Sequence, residues 1–101
     1  EIIREKILSF YSDEIPYSTF VNILQFKERD SGKIYINAEI IIERETQKKI
    51  IIGRNGEGIK KLGQQSRKAI ENFLERSVYL ELFVKIRKGW RDSEGFIKGN
   101  M

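Results

Sequence analysis

The residues with the most chemistry to offer are Gly53, Arg54, Asn55 and Gly56, a Gly-x-x-Gly turn. An apolar run, Ile50–Ile52, enters it, and an amphipathic pattern leaves it. Glycine has no Cβ, so Gly53 and Gly56 reach backbone angles closed to other residues and let another molecule approach the main chain. A turn that opens a helix directs unpaired N–H groups outward, backed by the positive end of the helix dipole. Such a place suits a phosphate. Arg54 adds a cation at the tip, and Asn55 adds side-chain donors.

The charge follows the same geography. The net charge of the 101 residues is +4, yet residues 44–68 carry eight basic residues (Arg44, Lys48, Lys49, Arg54, Lys60, Lys61, Arg67, Lys68) against Glu45 and Glu57. That is +6 in this stretch, leaving −2 for the remainder. A solvated helix face is the commoner meaning of a charge run. Its coincidence with a phosphate-competent turn favours an anionic partner.

What is missing narrows the chemistry. The chain has no histidine and no cysteine. Ser-His-Asp and Cys-His catalysis, disulfides and zinc sites built on His or Cys therefore fall away. Glu43, Glu45 and Glu57 lie near the turn, but no nucleophile or metal set gathers around them, so the domain is not read as an enzyme. No metal site and no cofactor are expected within it. Neither Ile40–Ile42 nor Ile50–Ile52 is long enough to span a membrane, and no signal-peptide pattern opens the chain. The absence of cysteine suits a reducing, cytoplasmic setting. The chain does not begin with Met, which is expected of a fragment of a longer protein.

The elements that must position the turn can be read in order. Ile3, Ile7 and Phe10 fall at helical spacing, predicting a short helix over residues 1–11. Pro16 closes it off. Residues 20–27 predict a strand, Asp30-Ser31-Gly32 a turn, and 34–43 a second strand, together a hairpin. In the second strand Ile34, Ile36, Ala38, Ile40 and Ile42 share one face, with Ile41 on the other. Thr46 is expected to cap a short helix through Lys48 to Ile52. After the turn, Ile59, Leu62, Ser66, Ala69, Ile70 and Phe73 form one stripe of a helix from about Gly56 to Leu74. Lys60, Lys61, Arg67, Lys68 and Glu71 occupy its remainder. Gly58 and Gly63 inside that helix each cost about 1 kcal/mol relative to Ala, which suggests close packing or a bound backbone. Val78, Leu80, Leu82, Val84 and Ile86 then alternate with Tyr79, Glu81, Phe83, Lys85 and Arg87, the cleanest strand in the chain. Leu82 is expected to be a buried core residue. The tail 89–101 is expected to fray.

The fold class predicted is α+β, in the order α-β-β-α-α-β: a three-stranded sheet with helices packed on one face. It forms one domain over residues 1–101, with its core at 18–88. The third strand can lie parallel to the second by a helical crossover.

Gly-x-x-Gly alone is weak, because four-residue coincidences are common. It is not a P-loop, since Ile59 stands where Lys belongs, nor a dinucleotide fingerprint, since Lys61 stands where the third glycine belongs. Its context is more telling: the β-α-Gly-x-x-Gly-α-β unit resembles the core of a KH domain, whose turn clamps about four nucleotides. The preceding helix and strand resemble the type II KH arrangement. Further stretches resemble the C-terminal KH domain of the Era family of ribosome-assembly GTPases. They are Glu14-Ile15-Pro16-Tyr17-Ser18, Phe26-Lys27-Glu28, Glu43-Arg44-Glu45-Thr46-Gln47-Lys48, Ile51-Ile52-Gly53, Ile59-Lys60, Val78 to Lys85, and Gly89-Trp90-Arg91. The match runs over about residues 3–92.

That resemblance implies binding of single-stranded RNA at the 3′ end of the 16S rRNA during maturation of the 30S ribosomal subunit. It also implies a GTPase domain before residue 1, which would hold GTP and Mg, and leaves any peripheral membrane association to the full-length protein. On this reading Gly53 and Gly56 admit the phosphates, and backbone N–H groups with Arg54 and Asn55 bind them. Ile52, Ile59 and an edge-strand apolar residue such as Ile41 are expected to floor a groove for unstacked bases. Arg44, Lys48, Lys49, Lys60 and Lys61 are expected to supply salt-sensitive attraction. Tyr79, Phe83 and Trp90 are read as packing residues. The competing reading is a KH-like protein-interaction module that does not bind RNA.

Overall fold

The structure is a computed structural model that describes residues 1–12, 15 and 19–90. Its elements are α1 (Ile2–Phe10), β1 (Phe20–Glu28), β2 (Ile34–Ile42), α2 (Glu45–Ile52), a 3-10 turn (Arg54–Gly56), α3 (Glu57–Leu74) and β3 (Val78–Ile86). The predicted order and the α+β class hold. The segments 13–14 and 16–18 and the tail from 91 onward, expected to fray, lie outside the described residues.

Residue alternation dictates the sheet. β2 turns Ile34, Ile36, Ala38, Ile40 and Ile42 to the helices, and all five are buried. β1 pairs with it antiparallel through the turn at Gly32 (φ 86°), with a register irregularity between Ile23 and Gln25. β3 pairs with the other side of β2, parallel and in unbroken register from Ile34↔Val78 to Ile42↔Ile86. The strand order is therefore β1-β2-β3, with β2 at the centre. The crossover from β2 to β3 through α2 and α3 is what a parallel pair needs.

The helices supply the other half of the core. Ile3 and Ile7 of α1, Ile51 of α2, and Leu62 and Ile70 of α3 close over the β2 stripe. Phe73, expected on the buried stripe of α3, is instead 77% exposed. It sits in the last turn, at a cleft shared with Ile2 and Ile3 of α1 and Ile23 and Phe26 of β1. Leu82 is only partly buried, which corrects its assignment to the sealed core. Trp90 is buried as expected, its ring centroid 5.7 Å from that of Phe20. Tyr79 stacks on Tyr35 at 6.0 Å but stays half exposed, as does Phe83.

The start of α2 also departs from expectation. Thr46 is not its cap. The helix begins two residues earlier, with Arg44 in the N-cap position, and the Gln47 Oε1 accepts hydrogen bonds from the backbone N–H of Arg44 (2.9 Å) and of Glu43 (3.0 Å). A long amide reaching back replaces the hydroxyl.

Candidate nucleic-acid interface

The turn has the geometry its glycines allow. Gly53 takes φ 74° and ψ −179°, a region open essentially to glycine alone. Asn55 follows at φ 56° and ψ 25°, a left-handed angle that Asn tolerates. Gly56 at φ 77° and ψ 9° is the N-cap of α3. Internally, the Gly53 N–H donates to the Lys49 carbonyl (2.9 Å) and the Gly56 N–H to the Gly53 carbonyl (3.2 Å). No side chain caps the start of α3. The Glu57 N–H donates to the Arg54 carbonyl, and the Gly58 nitrogen is packed beneath Gly53. Arg54 and Asn55 are both exposed at the tip.

Two glycines hold the helices together rather than open the turn. A Cβ on Gly53 would stand 2.9 Å from the Gly58 backbone nitrogen, and one on Gly58 would stand 2.7 Å from the Ile51 carbonyl oxygen. α2 and α3 thus meet backbone to backbone. The Ile51 carbonyl also accepts a 2.6 Å hydrogen bond from the Tyr11 hydroxyl, whose pKa burial pushes up. That bond ties the end of α1 to the end of α2.

From the turn, a groove of about 330 Å³ runs along α3, between it and the edge strand β3. Ile59, Leu80 and Leu82 give it an apolar surface, and Lys60, Gln64 and Arg67 a polar one. Gly63 lies between, with Leu82 Cδ1 3.8 Å from where a Cβ would be. An apolar trough thus ends beside the glycine turn.

The expected site residues separate into groups. Gly53, Arg54, Asn55 and Gly56 form the turn, and Ile59 and Lys60 line the groove. Ile52 is half-buried and does not line it. Ile41 is corrected outright. It belongs to the central strand, not an edge, and is 1% exposed, with Phe20 and Lys85 as its cross-strand partners. β1 and β3 are the edge strands, and the edge strand beside α3 is β3, whose Leu80 and Leu82 line the groove. Lys61 points elsewhere too, its Nζ 4.8 Å over the Phe10 ring of α1. Arg44, Lys48 and Lys49 belong to α2 and its cap, away from the groove lining.

Sequence reasoning missed Gly63, Gln64, Arg67, Leu80 and Leu82 as groove residues. The signal was present: a parallel β3 beside β2 leaves β3 at the edge, facing α3. Arg67 and Glu71, four residues apart, form an ion pair at 2.8 Å, and the second Glu71 oxygen accepts the Val78 N–H at 2.8 Å. The Val78 hydrogen bond, aided by Arg67, holds the Glu71 carboxyl below its ordinary range. No group of His, Cys, Asp and Glu able to hold a metal ion occurs among the described residues, and no described helix is long and apolar enough to cross a membrane.

The KH domain family pattern matches residues 14–91. The chain is 48% identical over 98 residues to the GTPase Era of Geotalea daltonii, covering 97% of this chain and 33% of that protein. It is 46% identical to a chloroplastic GTPase ERA-like protein of Oryza sativa subsp. japonica, of which it covers 23%. Among solved structures, Aquifex aeolicus Era bound to GDP and AlF4− superposes with a TM-score of 0.91 at 38% identity, over 98% of this chain and 34% of that one. An Era complex with MgGDPNP and nucleotides 1506–1542 of 16S ribosomal RNA matches equally, with a TM-score of 0.91 and 38% identity over 98% of this chain and 33% of that one. The chain thus spans about a third of the length of its bacterial relatives, and the part it matches is C-terminal. It belongs to the KH domain family and is homologous to the C-terminal domain of the Era GTPases.

Proposed function

We propose that this domain binds single-stranded RNA, with phosphates at the Gly53–Gly56 turn and unstacked bases in the groove between α3 and β3. The observation that carries the reading is the continuity of the two: the groove begins at Ile59 and Lys60, in the first turn of the helix that Gly56 caps. Phosphate contacts at the turn would set the register of the strand, and contacts in the groove its sequence preference. Arg54 and Lys60 supply long-range attraction, with Arg44, Lys48, Lys49 and Lys61 adding to the local field.

The RNA would be the 3′ end of the small-subunit ribosomal RNA, in the setting of 30S assembly in the cytoplasm. Support comes from the Era structure solved with a 16S rRNA fragment, whose KH domain this chain matches over almost its whole length. GTP and Mg would then belong to a GTPase domain outside these residues. One feature favours a protein partner as a second reading. Ile23, Phe26 and Phe73 are exposed around a cleft whose charged lining residues are Glu1 and Glu5, a surface unsuited to RNA.

Fluorescence anisotropy with a short single-stranded RNA carrying a small-subunit 3′-end sequence, beside a scrambled control at two salt concentrations, tests the proposal. Tighter binding of the specific strand, weakened by salt, is expected. Equal binding of both strands would reduce the reading to a generic single-strand binder. Binding of neither would leave the protein-interaction reading.

A further inference from the structure

The groove has two cations on its lining, and they are not equivalent. Lys60, near the glycine turn, is exposed and makes no ion pair among the described residues. Arg67 is 38% exposed in its side chain and is paired at 2.8 Å with Glu71, itself 26% exposed. The Glu71 carboxylate is fixed in turn by the Val78 N–H at 2.8 Å, at the first residue of β3. Arg67 is thereby anchored through one carboxylate to the edge strand whose Leu80 and Leu82 also line the groove.

Arg67 lies ten residues beyond Glu57, the first residue of α3, which is about 15 Å along the helix axis. That places it past the turn's own phosphate, further along the track of about four nucleotides that such a turn serves. A guanidinium already neutralised by a carboxylate has little net charge to offer a phosphate. It retains N–H donors in a fixed fork and has no acceptor.

Resting on the RNA-binding reading above, we infer that Arg67, positioned by Glu71, is a base-reading residue that favours guanine over adenine at one position in the groove. Guanine presents O6 and N7, both acceptors, on one edge. Adenine replaces O6 with an N6 amine that a donor-only side chain cannot satisfy. The two purines stack alike, so the choice between them falls to the hydrogen bonds. Affinity from counterion release comes from Arg54 and Lys60, and base discrimination from Arg67. Glu71 is a positioning residue: it aims the guanidinium and cancels its charge.

The test measures affinity for a small-subunit 3′-end RNA and for variants carrying guanine or adenine at each position in turn, at several salt concentrations. The wild-type chain is expected to prefer guanine by about fivefold or more at one position. Arg67→Gln should reduce that preference below about twofold while leaving the salt slope unchanged. Arg67→Lys keeps a charged, donor-only head without the planar fork and should retain a weaker guanine preference than the wild type, which guards against misfolding of the Gln variant. Glu71→Gln, whose amide oxygen can still accept from Val78, should steepen the salt slope by about 0.7 as the freed guanidinium meets phosphate.

A uniform loss across all RNAs with a slope shallower by about 0.7 in Arg67→Gln would make Arg67 a phosphate contact and overturn the inference. Absence of any guanine preference in the wild type, or its persistence in Arg67→Gln, would overturn it as well, with the groove reading intact. Failure of the wild type to bind any of the RNAs would remove the groove reading and this inference together.

Discussion

A Cβ on Gly58 would stand 2.7 Å from the carbonyl oxygen of Ile51, inside the distance at which real atoms coexist. Backbone is on both sides of that contact, so no side chain can move aside. Helix propensity alone would favour Ala at this position by about 1 kcal/mol. The contact reverses the sign. Gly58→Ala should destabilise the domain by about 1–3 kcal/mol, the usual cost of overpacking. Urea unfolding of the two proteins checks it, and a stabilised variant would mean that α2 and α3 can part freely.

The same interior gives a contrast between two leucines. Leu62 is fully buried against β2, whereas Leu82 is partly exposed in the groove. Leu62→Ala should cost about 2–5 kcal/mol, since it leaves a cavity in a closed core. Leu82→Ala should cost about 2 kcal/mol or less, because the site is already open. Its larger effect should be on RNA affinity, through loss of apolar groove surface. Equal destabilisation by the two substitutions would place Leu82 in the closed core after all.

Much of this architecture was legible along the chain, for reasons specific to each element. β2 alternates cleanly because one of its faces packs against helices along its whole length, so its five core residues declare themselves. The Gly-x-x-Gly turn is equally plain, since positive φ angles demand particular residues. Ile41 misled because alternation places it off the helix face but cannot say whether its strand is central. That depends on β3 arriving from 36 residues further on to pair with β2. The groove followed the same error: its walls are α3 and β3, and their adjacency is a product of the crossover. Phe73 fits the helical stripe yet is exposed at an open cleft between α1, α3 and β1, which helical spacing alone does not reveal. Arg67 and Glu71 have the spacing of a solvent-face ion pair, and nothing local reveals that the carboxylate also holds the start of β3.

That double use of Glu71 has a pH signature. Its pKa is lowered from the ordinary 4.5, first by the Val78 N–H and then by Arg67. A carboxyl with a depressed folded-state pKa contributes stability that is present above its unfolded value and lost as pH falls through the folded one. Acidification from about pH 5 to pH 3 should therefore remove a contribution that Glu71→Gln does not have. The variant should be the less stable protein at pH 7 and should show the shallower decline over that interval. Thermal unfolding at a series of pH values measures both, and parallel curves would show that Glu71 is not linked to folding.

The tip of the turn separates binding from stability most sharply. Arg54 and Asn55 are exposed and make no side-chain hydrogen bond or ion pair among the described residues. Asn55 occupies a left-handed angle that Asp also tolerates, so Arg54→Asp with Asn55→Asp should leave the backbone in place. Unfolding free energy should change by no more than about 0.5 kcal/mol, as at other surface positions. Affinity for single-stranded RNA should fall below detection, because two carboxylates would face the phosphates at the exposed tip of the turn. The salt dependence of whatever binding remains should weaken with the lost cation, since fewer counterions are released. Circular dichroism beside anisotropy reads both effects in one pair of proteins. Intact structure with unchanged affinity would remove the glycine turn from the binding site and leave the groove to act without a clamp.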